Sequence, residues 1–108
     1  MKEIKAIIRP NKLPALRNAL RQIPGFPGMT ISKAEGCSAL TRHGPPTNIK
    51  EELTDYTPKT RIEIVAPDDL APAILDCICA VAQTGQVGDG LVWMVDVERA
   101  LFIHKTMP

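Results

Sequence analysis

The chain begins with an alternating pattern of apolar and polar residues. Across residues 2–9, Ile4, Ala6 and Ile8 occupy every second position, with charged residues beside them at first. This period is typical of a β-strand that buries one face. It predicts a first strand at 2–9, ended by Pro10.

The apolar spacing then changes to that of a helix. Leu13, Leu16, Leu20 and Ile23 follow one another at intervals of three or four residues. On a helix with 3.6 residues per turn such positions form one stripe. The spacing predicts a helix across 13–23, and the PGFPG segment that follows turns the chain.

A second helix is predicted after the dipeptide Asp68-Asp69. One of these aspartates is expected to act as its N-cap, because carboxylates accept hydrogen bonds from the free amides of a first turn. Its apolar stripe is formed by Leu70, Ile74, Cys77 or Ile78, and Val81. Thr84-Gly85 ends this helix.

The remaining apolar runs complete a recognisable order of elements. They predict strands at 29–35, 59–65 and 91–97 and a short extended piece at 100–104. The order β-α-β-β-α-β is that of the ferredoxin-like α+β fold, an antiparallel sheet with both helices on one face. We therefore expect a single domain over residues 1–108.

The composition excludes several classes of protein. The 108 residues are 44% hydrophobic and 23% charged, as in soluble globular domains. Thirteen Lys and Arg balance twelve Asp and Glu, and there are only four aromatic residues other than histidine, so we expect no nucleic-acid partner. Since neither a membrane-spanning run nor a signal-peptide segment is seen, we expect a cytoplasmic protein without direct membrane insertion.

The residues that carry chemistry in other proteins are sparse. Cys37, Cys77 and Cys79 lack metal-ligand spacing and are expected to be buried, reduced thiols. His43 and His104 are far apart in sequence, and no serine or cysteine has an evident base. The pattern favours a protein that is not an enzyme and holds no metal.

Two connections are the candidates for function. Twenty-two residues, 37–58, join two strands that should be hairpin neighbours, where a few residues normally suffice. The segment QTGQVGDG at 83–90 has three glycines, whose backbone amides can surround an anion. A passive insertion and a turn-rich linker are the respective alternatives.

Four segments together resemble the PII signal-transduction proteins: AIIRPNKL, GMTIS, PKTRIEIVAPDD and AQTGQVGDGLVWMVDV. The resemblance extends over almost the whole chain. It implies a homotrimer that binds adenine nucleotides in clefts between neighbouring subunits. It also matches 37–58 to the T-loop, which docks on a target protein, and 83–90 to the B-loop, which surrounds the phosphates.

The resemblance further implies the residues of the nucleotide site. It places Ile8, Gly28, Met29, Thr30, Glu63 and Val65 on the adenine and ribose side. It places Gly36, Cys37, Ser38, Gly88, Asp89 and Gly90 near the phosphates, with Lys59 reaching a phosphate or carboxylate. His104 completes the set, at a position where family members carry a basic residue.

The sequence departs from the family pattern on the phosphate side. Ala39, Leu91 and Phe102 stand where relatives carry basic residues. Leu40 replaces a glutamine that helps to ligate magnesium beside 2-oxoglutarate, and Glu52 replaces a tyrosine that is uridylylated in enteric relatives. The departures indicate a divergent paralogue rather than the standard nitrogen sensor.

These departures lead to a specific expectation of function. We expect a regulator that binds ADP or AMP more tightly than ATP, needs no cofactor, and takes bicarbonate or another small anion as a candidate second ligand. Its target would be a membrane transporter or an enzyme, contacted through the T-loop. Two alternatives remain: a nitrogen regulatory PII protein that senses ATP, ADP and 2-oxoglutarate, and a PII-like trimer linked to metal transport.

Overall fold

The computed structural model describes residues 1–37 and 56–105. Of the loop predicted at 37–58, Cys37 and residues 56–58 belong to strands, and residues 38–55 lie outside the described part of the chain.

The described residues form four strands and two α-helices in the predicted order. They are β1 (Lys2–Ile8), a 3-10 turn (Pro10–Lys12), α1 (Leu13–Arg21), β2 (Thr30–Cys37), β3 (Tyr56–Ala66), α2 (Ala71–Ala82) and β4 (Gly90–Asp96). The strand order is β2-β3-β1-β4, and every neighbouring pair is antiparallel. The ferredoxin-like α+β fold is confirmed.

The core lies between one face of the sheet and both helices. Alternate residues of the two central strands are buried there: Ile4, Ala6 and Ile8 of β1, and Ile62, Ile64 and Ala66 of β3. The helices contribute Leu16, Leu20, Ala71, Ile74, Ile78 and Ala82. Because all twelve form one cluster, the helices share a face of the sheet, as the alternation in the sequence predicts.

The opposite face of the sheet has no helix over it in the described part of the chain. Its residues are the alternate ones, which pair across the strands in register: Glu3, Lys5 and Ile7 of β1, Arg61, Glu63 and Val65 of β3, and Leu91, Trp93 and Val95 of β4. This open face mixes charged and apolar side chains, and Leu91 and Val95 are exposed.

The predicted capping of α2 is wrong. Leu70, not Asp68 or Asp69, occupies the N-cap position, and no side chain caps the helix. The amides of Leu70 and Ala71 both donate to the carbonyl of Pro67 at 3.0 Å, so a backbone turn satisfies them. The carboxylate of Asp68 instead lies 2.7 Å from the N-terminal ammonium, whose hydrogen bond lowers the pKa of that carboxyl.

Two smaller expectations are also wrong. The piece at 100–104 is not a strand, because the chain turns there, with the Lys105 amide donating to the carbonyl of Phe102 at 3.2 Å. Cys37 and Cys79 are exposed rather than buried. Only Cys77 is partly buried, and burial raises the pKa of its thiol.

Neither described helix is long and apolar enough to cross a membrane.

Candidate functional site

A pocket of about 570 Å³ lies where β2 begins beside β3. Its lining residues are Glu3, Pro27, Gly28, Met29, Thr30, Glu63, Ile64, Val65 and Phe102. We call it the acidic pocket, because Glu3 and Glu63 are its two charged residues.

The register of the sheet brings these polar side chains together. Thr30 of β2 lies opposite Glu63 of β3, and Glu3 of β1 lies opposite Val65. Paired residues project from the same face of an antiparallel sheet. Since Ile62 is buried under the helices, Glu63 next to it points to the open face.

The electrostatics of the acidic pocket favour a ligand with hydrogen-bond donors. In the part of the chain that the structure describes, each carboxylate forms one ion pair: Nζ of Lys5 lies 3.7 Å from Glu3, and Nε of Arg61 lies 3.7 Å from Glu63. A carboxylate has about four acceptor positions, so both keep acceptor capacity beyond these pairs. Apolar walls beside carboxylate and hydroxyl groups suit a small organic molecule with amino or hydroxyl groups.

A second constellation forms around the glycine loop that connects α2 to β4. Its members are Arg9, Gly36, Lys59, Thr84, Gly88, Asp89 and Gly90, and we call it the glycine-loop cluster. The β1–β4 register, in which Ile8 lies opposite Gly90, places Arg9 beside Asp89. The hairpin of β2 and β3 brings Gly36 and Lys59 to the same end of the sheet.

Asp89 holds the glycine loop in shape. Its carboxylate accepts hydrogen bonds from the Thr84 hydroxyl and from the amides of Thr84 at 2.6 Å, Gly85 at 3.0 Å and Gln86 at 3.4 Å. Arg9 adds a charged hydrogen bond at 3.1 Å from Nε. These bonds, those from Thr84 foremost, hold the pKa of Asp89 well below its usual range. The carboxylate thus accepts hydrogen bonds from three loop amides, which are therefore not free to bind an anion.

Two cations border the same loop. Nζ of Lys59 donates to the carbonyl of Gly88 at 2.6 Å, and the guanidinium of Arg9 donates to the carbonyl of Val87 at 3.2 Å. The stem of Lys59 runs over Gly36, where an added Cβ would lie 3.2 Å from its Cγ. The loop therefore has positive charge at its rim and a glycine on the adjacent hairpin.

The structure gathers most of the predicted site residues into these two groups. Gly28, Met29, Thr30, Glu63 and Val65 line the acidic pocket. Gly36, Lys59, Gly88, Asp89 and Gly90 form the glycine-loop cluster. No residue belongs to both groups.

Four predicted residues lie elsewhere. Ile8 has its side chain buried in the core, so only its backbone faces the end of the loop. Cys37 is exposed at the end of β2, and Ser38 lies outside the described residues. His104 is exposed, with its ring centroid 5.7 Å from that of Phe102.

The residues of the two groups that the sequence analysis missed include Arg9, Glu3 and Phe102. Arg9 lies eighty positions from Asp89, and only the adjacency of β1 and β4 reveals their contact. Glu3 enters the acidic pocket because β1 lies beside β3. Phe102 was interpreted only as a lost cation, although it lines the pocket. The strand order of a ferredoxin-like sheet was the available signal for Arg9 and Glu3.

Comparison with known proteins gives one consistent match. The family model described as "Nitrogen regulatory protein P-II" matches residues 1–106. The chain is 41% identical over 104 residues to nitrogen regulatory protein P-II 1 of Escherichia coli K12, covering 96% of this chain and 92% of that protein. It is 39% identical, with the same coverage, to nitrogen regulatory protein P-II of Bradyrhizobium diazoefficiens, and 40% identical to that of Klebsiella oxytoca.

Proposed function

Because the chain belongs to the nitrogen regulatory protein P-II family, we propose that it is a non-enzymatic regulator that binds an adenine nucleotide in clefts between subunits. One observation carries this proposal. The chain presents an acidic pocket and a separate, cation-bordered glycine loop, which suit the two chemically different ends of a nucleotide.

The acidic pocket is proposed to hold the nucleoside end. The exocyclic amino group of adenine and the hydroxyl groups of ribose are donors, and Glu3, Glu63 and Thr30 offer acceptors. Phosphate groups carry negative charge and would be repelled by the two carboxylates. The charge of the pocket thus sets the direction in which a nucleotide would lie.

The glycine-loop cluster is proposed to hold the phosphates. Lys59 and Arg9 supply positive charge beside a loop whose glycines leave the backbone accessible. In this structure the Lys59 ammonium donates a hydrogen bond to the Gly88 carbonyl. A phosphate is a stronger hydrogen-bond acceptor for the ammonium than a neutral carbonyl is. Binding would therefore draw Lys59 onto the ligand.

The two halves of the proposed cleft come from different copies of the chain. The acidic pocket includes no residue of the glycine loop, and the cluster lies where β1 ends and β4 begins. A neighbouring subunit packed on the open face of the sheet would cover its apolar residues and bring one chain's pocket to the next chain's loop. Closed rotational symmetry would repeat this contact, which fits a homotrimer with three clefts.

The shorter nucleotides are proposed to bind more tightly than ATP. Ala39 and Leu91 stand at positions where the family resemblance implies basic residues, and neither side chain can donate a hydrogen bond to a phosphate. A hydrogen bond to a charged group contributes roughly 1.5–3 kcal/mol, so the absence of two costs about a hundredfold or more in affinity for the outer phosphates. The nucleoside contacts do not depend on these two residues.

Isothermal titration calorimetry with AMP, ADP and ATP tests this proposal. We expect saturable binding of one nucleotide per chain, tighter for AMP or ADP than for ATP, without release of inorganic phosphate. Binding of ATP at least as tight as that of ADP would refute the proposed order. Absence of binding by all three would refute the nucleotide site, and steady turnover would refute the non-enzymatic role.

The chain is proposed to regulate a transporter or an enzyme that it contacts through residues 37–58. Bicarbonate is the proposed small-anion ligand, for which Lys59 supplies a cation. Nitrogen control is the second candidate, and it is favoured by the names of the relatives at 39–41% identity. Calorimetry with bicarbonate, and separately with 2-oxoglutarate and magnesium, distinguishes them: tightening of nucleotide binding by 2-oxoglutarate alone would select nitrogen control.

A further inference from the structure

We propose that Phe102 is a base-stacking residue, so that this chain holds the nucleoside with an aromatic ring at a position that sequence comparison marks only as a lost cation. The inference rests on the proposed nucleotide function and concerns which part of the nucleotide this residue contacts.

The location of Phe102 carries the first step. It lines the acidic pocket together with the apolar Met29 and Val65 and with the two carboxylates of Glu3 and Glu63. The residue is 38% exposed, so the core does not enclose its ring. An aromatic ring that borders a pocket and remains open to it can take a second flat ring against its face.

Phe102 contacts two residues that follow it in the chain. Nζ of Lys105 lies 4.9 Å from the ring centroid, a cation–π distance, and the His104 ring is tilted by 58° at 5.7 Å. The turn closed by the Lys105 amide and the Phe102 carbonyl fixes the backbone between them. The backbone that carries the ring is thus held by this turn before a ligand arrives, which lowers the entropy cost of stacking.

The chemistry of the pocket selects the ligand group. A purine base offers a flat π surface for the ring and an amino group for a carboxylate, so it uses both properties of the pocket at once. A phosphate uses neither and is opposed by Glu3 and Glu63. Phe102 therefore contributes to affinity through the base, equally for nucleotides with one, two or three phosphates.

Calorimetry with AMP and ADP on four variants tests the inference. Stacking of a base on an aromatic side chain contributes enough that replacement by alanine weakens binding by about 5- to 150-fold. We expect this loss for Phe102→Ala, and a similar loss for Phe102→Leu, which keeps apolar bulk without the ring. Phe102→Tyr should bind within about threefold of the wild type, because it keeps the π surface.

The matched control is Ile103→Ala, since Ile103 is adjacent, apolar and 97% exposed, and it is not among the lining residues of the acidic pocket. It should leave both affinities unchanged. Equal binding by wild type and Phe102→Ala would overturn the stacking role alone, as would a loss that is larger for ADP than for AMP. Wild-type protein that binds neither nucleotide would instead overturn the proposed function on which the inference rests.

Discussion

At the scale of single residues, the shape of the glycine loop depends on one carboxylate. Asp89 accepts bonds from the hydroxyl and amide of Thr84 and from the next two amides, and it pairs with Arg9. Its side chain is therefore a positioning group of the loop rather than a ligand for phosphate. The contribution of Asp89 to nucleotide binding would be indirect, through the path of the backbone.

Asp89→Asn should loosen the loop without unfolding the domain. The amide side chain loses the charge that pairs with Arg9, and its NH₂ group cannot accept hydrogen bonds from the loop amides. We expect amide hydrogen exchange at residues 84–86 to become roughly tenfold faster or more, with exchange in the core unchanged. Unchanged exchange at 84–86 would contradict the role assigned to Asp89. Asp69→Asn is the control, because Asp69 is exposed and caps no helix.

The pKa of the Asp89 carboxyl determines the pH range over which Asp89 stabilises the glycine loop. Its pKa is depressed in the folded chain, so the stabilisation is present above the ordinary carboxyl pKa of about 3.9 and is lost as the pH falls through the folded value. The amide chemical shifts of 84–86 should therefore stay constant from neutral pH to about pH 5 and change only in stronger acid. In Asp89→Asn this acid transition should be absent.

Residue-scale features divide according to whether they depend on local sequence or on the fold. The acidic-pocket residues Gly28 to Thr30 and Glu63 could be named from the sequence through the family resemblance, and the structure brings them together. Arg9 and Glu3 could not, because their partners are on other strands. Phe102 was missed for a different reason: the sequence analysis considered the positive charge that this position lacks and did not consider the aromatic surface that it offers.

At the scale of elements, the joint between the glycine loop and the sheet is very tight. Gly90 begins β4 with φ of +113°, and an added Cβ would lie 1.8 Å from the carbonyl oxygen of Ile7. Backbone on a neighbouring strand cannot yield as a flexible side chain does. The β1–β4 pairing thus requires glycine at this position.

Gly90→Ala should destabilise the fold by about 3 kcal/mol, because the strand pair must shift and the backbone conformation is strained. Gly85→Ala is the control. Its φ of +80° is also unfavourable for alanine, but nothing lies within 4 Å of the added Cβ, so we expect a cost of about 1 kcal/mol. Urea denaturation at one protein concentration measures the free energy of unfolding of both variants. Equal losses of stability would show that the close approach of Gly90 to the Ile7 carbonyl does not restrict the side chain at this position.

The elements themselves were largely predictable, and their ends were not. Period-two and period-3.6 patterns located β1, β3 and both helices, since each buries one face against a single core. The hairpin is longer than predicted, with Cys37 paired to Tyr56, because that extension has no apolar alternation and includes Pro58. The start of α2 was misplaced because a backbone turn, which leaves no sequence signature, took the place of an aspartate cap.

At the scale of the whole molecule, the described part of one chain contains the two proposed half-sites and a sheet face that has no helix over it. The acidic pocket and the glycine-loop cluster share no residue, and exposed apolar side chains such as Leu91 and Val95 lie on the open face. Assembly of copies around an axis would cover the face and join the half-sites in one step. Binding and assembly would then be coupled, because a ligand held by two subunits stabilises the assembled state.

A complementation experiment with two defective variants tests this composite cleft most directly. Thr30→Ala with Glu63→Ala removes two of the three acceptor side chains of the acidic pocket, and Lys59→Glu places a negative charge in the glycine-loop cluster. Each protein alone should fold, assemble and fail to bind ADP. When the two are co-expressed, a mixed trimer contains one cleft with an intact pocket from one chain and an intact loop from another.

The account predicts that mixed trimers, purified with a different affinity tag on each variant, bind one ADP per trimer with nearly wild-type affinity in calorimetry. Mixed trimers that bind no better than either parent, while the wild type binds three, would show that each site lies within a single chain and would contradict the composite cleft.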